Sequence, residues 1–532
     1  QGEFWTSHPD GGYDVKETSS AAHFYGKPIA SAEAFTGSRY YHCFADQKNS
    51  ADYAYAFGVN EFVLCASAYQ PWIDKYPGST AGGKHYCLNR NNTYWEYSRP
   101  FWDYQARCSA LMRKGVPVVD ICVYLGQNPP VKLVTYRLPE IPEGYDFDVC
   151  TAEALVGRTM AVDGRLTLPT GISYSLLVIQ RNNDMPLHVL RHIAGLVKGG
   201  VIVCGPRPDG SDSLKDKAES EEYRALVDEL WGELTTVSQI RKVGKGKIYE
   251  NIPLSEVLKY ENIRPDIAIK SGNTAKDKVY FVHRRLSDAD VYFLNNHSDR
   301  AFHDTVRLRT DARQAEYWDA VTGQRYMIPV KASGEKGMLL NLTLAPRESG
   351  FIVTSNNQAT GLLPRIADVQ ETITPIEGSW NVYFDPRWGG PGKVVFDELI
   401  DWTVHADTGI RYYSGTAVYH KELNLAMPAQ NERLLLRFPR LGSLARVWVN
   451  GKEVVTVWCS PWEADITSYV HEGKNNLKIE VVNSLMNRMI GDASLPESER
   501  FTYAYPQIAT PTDKLVPSGI MEQLNLVYRQ CQ

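Results

Sequence analysis

Tyr174-Ser175-Leu176-Leu177-Val178-Ile179, a helical run over 187–197, the pair Gly199-Gly200 and then Val201-Ile202-Val203-Cys204 form the stretch on which the fold turns. A short apolar run bounded by polar residues predicts a buried strand. Leu187, Leu190, Ile193, Ala194 and Val197 recur at helical spacing, and the glycine pair supplies a stop. A strand, a helix and a second strand with no hairpin signal between them predict a parallel pair with a crossover.

The same alternation extends in both directions. Residues 27–35 and 61–66 read as short buried strands, 100–114 carries helical spacing, and 116–125 is a strand after Gly115. Residues 219–234 form a further amphipathic helix. Five or six strand–helix units are countable, whereas a closed barrel needs eight. The expected architecture over 1–265 is therefore a (β/α)-barrel, incomplete on its N-terminal side, with an upstream N-terminal segment completing it. An open sheet is the alternative.

From Asp277 the pattern changes. Val279-Tyr280-Phe281-Val282 and Val291-Tyr292-Phe293-Leu294 are strands without intervening helices, which predicts a β-sandwich over 266–358. Residues 359–375 read as a linker. Residues 376–532 are again all-β, with clean alternation in Leu477-Lys478-Ile479-Glu480-Val481. Asn450-Gly451 between two apolar runs is a two-residue hairpin signal. A jelly-roll sandwich of the galactose-binding kind is the expected form.

The chain has 532 residues, 57 basic against 62 acidic, for a formal charge of −5. That balance gives no footprint for nucleic acid or an anionic membrane surface. No apolar run reaches the roughly 18 residues of a membrane span. Nine cysteines include no C-x-x-C pair, and buried free thiols are expected. P-loop, G-x-G-x-x-G, H-E-x-x-H and G-x-S-x-G patterns are missing, and the 12 histidines show no zinc-ligand spacing. A hydrolase working with acidic side chains is the economical reading.

Glu33, in Ala32-Glu33-Ala34-Phe35, is the sharpest candidate, because an acid inside so apolar a strand is costly unless paired or functional. Glu153 opens a short helix after Tyr145-Asp146-Phe147-Asp148-Val149-Cys150, where Asp146 and Asp148 are equally placed by spacing. Gln127 and Asn128 follow the strand exit Tyr124-Leu125-Gly126, where amides can bind a hydroxyl group or a cation. Twelve Trp and 31 Tyr are many, and the cluster of Tyr94, Trp95, Tyr97, Phe101, Trp102 and Tyr104 offers flat faces to sugar rings.

These residues sit within runs that resemble glycoside hydrolase family 106, the α-L-rhamnosidases. The runs are 20–28, 32–36, 58–60, 70–71, 107–108, 124–126, 144–148 and 163–169, then 399–402, 410–417, 449–452 and 487–492. The resemblance implies a barrel followed by sandwiches, and inverting hydrolysis of terminal α-L-rhamnosyl linkages in oligo- or polysaccharides by two carboxyl groups. Glu33 then matches the general acid and Glu153 the general base. Substrate contacts fall to His23, Trp95, Asp120, Gln127 and Asn128. It also implies calcium near the rhamnose hydroxyls; its ligands are left open, the amide oxygen of Gln127 being one that calcium can accept, and the protein is expected to be exported. Gln127 and Tyr69 depart from the family, which often has an acid and a His there. The competing readings are a carbohydrate-binding relative without turnover and a glycosidase of other sugar specificity.

Overall fold

A computed structural model describes the chain except residues 7–12, 84–87, 128–130, 134–137, 181–183, 212, 214–215, 217–219, 234–236, 274–277, 358–360, 366–369 and 531–532. The predicted strands and helices form within a few residues of their expected ends, apart from the strand over 116–125. Their assembly differs from a barrel.

The first sheet has three parallel strands, β1 (Gly2–Trp5), β2 (Ser31–Thr36) and β3 (Glu61–Leu64), in that order. Helix α1 (Tyr13–Tyr25) joins β1 to β2, and α2 (Phe44–Ala56) joins β2 to β3. Phe4, Ala32 and Ala34 are buried with Val15 of α1 and with Phe44, Ala51 and Ala54 of α2. One face of this sheet is thus covered by helices. Because side chains alternate along a strand, the other face carries Glu3, Trp5, Glu33 and Val63, with Trp5 45% and Val63 47% exposed.

The second sheet is separate. Its strand order is Gln239–Val243, Gly246–Glu250, Ile202–Cys204, Leu176–Ile179, Ile121–Tyr124, Phe147–Cys150. All pair in parallel except the 239–250 hairpin at the edge. The chain starts inside this sheet, steps to one edge and then returns across to the other, as in doubly wound folds. Cys122, Tyr124, Cys150, Leu177 and Val203 face α1, α4 (Ala152–Arg158), α5 (Leu187–Gly199) and the helix Ser220–Trp231. Ile121, Val123, Val149, Leu176 and Val178 face the helix Leu254–Tyr260. A sheet covered by helices on both faces is open, so the expectation of one barrel over 1–265 is corrected: the region holds two separate parallel sheets that share α1 as a wall, and a small antiparallel sheet of Met160–Val162, Arg165–Thr167 and Ser173–Tyr174.

The expected strand over 116–125 is likewise two strands. Val116–Pro117 adds to the middle sandwich beside Arg284 and Arg285, and Ile121–Tyr124 belongs to the open sheet. That sandwich packs a four-stranded sheet against a seven-stranded one. Glu371–Pro375 pairs with Asn525–Gln530 of the terminal sandwich, and Leu363–Pro364 pairs with Arg325–Ile328 of the middle one. The described part of the expected linker over 359–375 is therefore built into both domains. Asn450 (φ 51°) and Gly451 (φ 78°) make the predicted tight hairpin between Leu444–Val449 and Lys452–Val457. Among the described residues no helix is long and apolar enough to cross a membrane.

Candidate active site

Glu33 sits in the middle strand of the first sheet on the face free of helices. The parallel register places Glu3 beside it on β1 and Val63 beside it on β3. Thr36 donates its hydroxyl to Glu33 Oε1 at 3.1 Å. The Cys65 thiol, just past β3, hydrogen-bonds to Glu33; partial burial, then Glu33 and Glu3, push that thiol above its ordinary pKa. Phe35 adopts φ 65°, which turns the strand so that Thr36 comes back beside Glu33. Trp5 lies on the same face, and a side chain on Gly37 would run into its ring at 2.6 Å. A carboxyl group, a hydroxyl, a thiol and an indole therefore share one solvent-reaching surface at the exits of parallel strands, where such folds place their ligands.

Glu153 is elsewhere. It lies exposed in the first turn of α4, beyond the open sheet, and accepts a 3.3 Å hydrogen bond from Tyr25 in the last turn of α1. Arg158 covers the same tyrosine ring at 4.6 Å. Because α1 covers the Ala32 and Ala34 face of β2, Glu33 and Glu153 stand on opposite sides of the first sheet. The expected pairing of these two carboxyl groups across one cleft is corrected.

His23 is not open to substrate either. It is 8% exposed, and its Nδ1 meets Asp148 Oδ2 at 2.8 Å. Asp148, wholly buried, also accepts from Ser20 at 3.0 Å and Tyr174 at 2.9 Å, with Lys16 Nζ at 3.8 Å. Burial alone would raise this carboxyl, but His23, Lys16 and Tyr174 outweigh it and hold it below the usual range. Asp146 pairs with Lys16 at 2.8 Å, and burial leaves it raised in spite of that cation. Lys16, His23, Asp146 and Asp148 form the polar seam between α1 and the strand Phe147–Cys150.

Asp120 is 3% exposed and gives both carboxylate oxygens to Arg309, at 3.1 and 2.8 Å, with Ser175 adding a third bond. Of the aromatic cluster, Tyr94, Tyr97, Phe101 and Tyr104 are core residues, so the sugar-platform reading fails for them. Trp95 is 39% exposed but opens a turn whose Tyr97 reaches Thr416 and Glu480 of the terminal sandwich. Gln127 is half-buried just after Gly126 (φ 79°), and Asn128 lies outside the described residues. Among the described residues no three His, Cys, Asp or Glu side chains converge to hold a metal ion. The six to eight oxygens that calcium takes are thus not assembled around Gln127 by such side chains. The seven described cysteines are free thiols.

Trp5, Glu3, Thr36 and Cys65 were missed by sequence reading. The signal available was the likeness of Gly2-Glu3-Phe4-Trp5 to Ala32-Glu33-Ala34-Phe35, two short strands each with one acid on the same side.

The class of protein follows from likeness to known sequences and folds, and that class is the glycoside hydrolase families. The profile of glycoside hydrolase family 106, described as alpha-L-rhamnosidase, matches residues 1–331, and the sugar-binding domain of family 2 glycosyl hydrolases matches 367–528. The chain belongs to glycoside hydrolase family 106. It is similar in structure to a rhamnosidase from Novosphingobium sp. PP1Y, with a TM-score of 0.88 and 29% identity over 97% of this chain and 49% of that one. A Formosa agariphila protein carrying the provisional name of a beta-glucuronidase is 24% identical over 93% of this chain and 60% of its own length. The chain thus spans about half of the solved relative and 60% of the other.

Proposed function

We propose that this protein hydrolyses terminal α-L-rhamnosyl linkages with inversion, and that Glu33 is one of its two working carboxyl groups. Family membership supports the reading, and the observation that carries it is the place of Glu33: mid-sheet, on the helix-free face, beside Trp5 and held by Thr36 and Cys65. As general acid, Glu33 gives its proton to the glycosidic oxygen as the bond to the anomeric carbon breaks. A second carboxylate takes a proton from water, which attacks the opposite face of the sugar.

That water requires the two groups to stand roughly 6.5–9.5 Å apart. Glu3 lies one strand away, about 4.8 Å at the backbone, too near for that role if the side chains run together. The reading therefore puts the base across the helix-free face from Glu33 and assigns Glu153, bonded to Tyr25 beyond α1, no part in it. Trp5 offers a flat face to the sugar.

The test is release of rhamnose from an α-L-rhamnosyl disaccharide, with the first-formed anomer followed by NMR and an aryl β-D-glucuronide as comparison. The expected result is hydrolysis of the rhamnoside alone, with inversion, and a drop of about 10²–10⁴-fold in kcat for Glu33→Gln. Preference for the glucuronide, retention of configuration, or an unimpaired Glu33→Gln protein would overturn it. Sugar binding without turnover would mean a binding relative.

A further inference from the structure

A second cleft, of about 1070 Å³, opens between the middle sandwich on one side and, on the other, the loop 118–120 with the small antiparallel sheet that carries Arg165 and Ser173. It is lined by Arg165, Arg264, Arg285 and Arg309, none of which belongs to the Glu33 face. Such a volume is at the upper end of small-ligand sites and admits more than one sugar ring.

The arginines differ in how they are occupied. Arg309 is held by Asp120 and Asp266. Arg285 reaches Asp290 only through Nε, at 3.0 Å. Arg264 donates to the backbone carbonyl of Glu335. Arg165 is fixed along one edge, Nε to Ser173 Oγ at 2.6 Å and Nη2 to the Ser173 carbonyl at 2.7 Å. Among the described residues no carboxylate lies within ion-pair range of Arg165 or Arg264. The inner acids of the cleft are engaged: Asp120 by Arg309 and Ser175, Asp290 by His283, Arg285 and Thr310. The remaining acids, Asp288, Asp311 and Glu335, are exposed at the rim, where solvent and salt screen them.

Arg165 is thus a half-buried cation, oriented by a fixed hydrogen-bonded edge, with Nη1 unengaged among the described residues. Burial, together with Arg309 and Arg285, works against its charge, and Asp120 offsets this only in part. A guanidinium held this way is short of one partner: a planar or tetrahedral oxyanion, which the fork of an arginine binds bidentately.

We infer that this cleft is an anion-binding subsite, in which Arg165, flanked by Arg264 and Arg285, takes the carboxylate or sulfate group of an acidic sugar. The acidic group sets which saccharide is retained; no bond is made or broken there. The choice of saccharide probes rests on the glycosidase reading, whereas the oxyanion chemistry does not.

Calorimetric titration of the full chain tests it with four probes: a uronic acid–rhamnose disaccharide, its carboxyl-reduced counterpart, a monosulfated rhamnose and inorganic sulfate. The expected result is binding of the uronate or the sulfate ester at least tenfold tighter than of the reduced disaccharide. Arg165→Ala should weaken it tenfold or more, and Arg165→Lys by less, because charge remains and the fork is lost. Ser173→Ala, which frees the guanidinium without removing it, should weaken binding with an unchanged melting temperature. Whichever acidic probe binds names the source of the anion. Equal binding of charged and reduced sugars, an undiminished Arg165→Ala protein, or inorganic sulfate binding as tightly as either sugar would overturn the inference. The readout is binding, so a protein inactive on rhamnosides still answers it, and hydrolysis without anion binding rejects this inference alone.

Discussion

Replacing Asp148 with Asn tests whether His23 and its neighbours hold the two sheets together or contact a ligand. Asp148 is fully buried and receives three hydrogen bonds, from His23, Ser20 and Tyr174, with Lys16 close by. The amide keeps the shape but turns one acceptor oxygen into a donor facing other donors, and it leaves Lys16 with Asp146 alone. Removing one partner of a buried charged pair costs about 3–5 kcal/mol, and the retained amide oxygen places this change near about 3 kcal/mol. For a cooperative unit of about 150–250 residues, about 2–4 °C per kcal/mol gives a loss of about 6–12 °C in melting temperature. Ser20→Ala, which deletes a single neutral donor to the same carboxylate, should cost about 1–2 kcal/mol. The carboxyl is held below its ordinary 3.8 in the folded state, so its contribution is present above pH 3.8 and lost as pH falls through the folded value. The Asn protein should therefore show a shallower loss of stability on acidification. Thermal and urea unfolding measure both effects. If Asp148→Asn and His23→Gln melt within about 2 °C of the native protein while KM for a rhamnoside rises tenfold, the seam is a binding site and its structural assignment is wrong.

Three further outcomes follow. His283 is buried between Asp266 (2.9 Å) and Asp290 (3.0 Å); burial alone would lower it, but the two carboxylates win and it is raised above 6.5. Its stabilisation is complete below pH 6.5 and fades as pH rises through the folded value, so the urea midpoint difference between native and His283→Gln protein should shrink from pH 6 to 9; growth of that difference would reverse the sign. Lys48, buried against Asp52 at 2.7 Å and Ser349 at 2.8 Å, should cost about 3–5 kcal/mol as Lys48→Met, and Lys48→Met/Asp52→Leu should recover part of it in a double-mutant cycle. Gly451→Ala meets no atom within 4 Å, so only its left-handed backbone at φ 78° resists, for about 1–2 kcal/mol by urea unfolding.

The elements were legible because their signals are local. The apolar run 176–179 is buried along its whole length, and Asn450-Gly451 needs only its own two positive φ angles. Sheet order is not local: a strand buried on both faces reads the same in a closed barrel and in a doubly wound sheet. Glu33 was readable as an acid that an apolar strand had to leave open to one side. Its separation from Glu153 was not, since it depends on which face of β2 receives α1. The aromatic cluster around Trp95 misled because its rings recur at the spacing of α3 (Arg99–Met112), where Phe101, Tyr104 and Cys108 point into the core. His23 and Asp148 meet across 125 residues, and no spacing rule announces such a pair.

Helix α1 explains why the barrel reading and the carboxylate pairing fail together. Val15 and Ser19 look toward the first sheet, Val15 in its core and Ser19 bonded to the Phe57 carbonyl at 2.6 Å. Lys16, Ser20, His23 and Phe24 look toward the second, Phe24 stacking on Tyr174 with ring centroids 5.9 Å apart. Here α1 occupies the space between β1 and the strand Phe147–Cys150, so no backbone ladder joins them among the described residues. Side chains that line one sheet's helix-free face cannot then be joined by residues leaving the other sheet behind α1. If Glu33 works as proposed, its partner approaches from the side of Glu3 and Trp5, and substitutions there should alter turnover where Glu153→Gln leaves it unchanged.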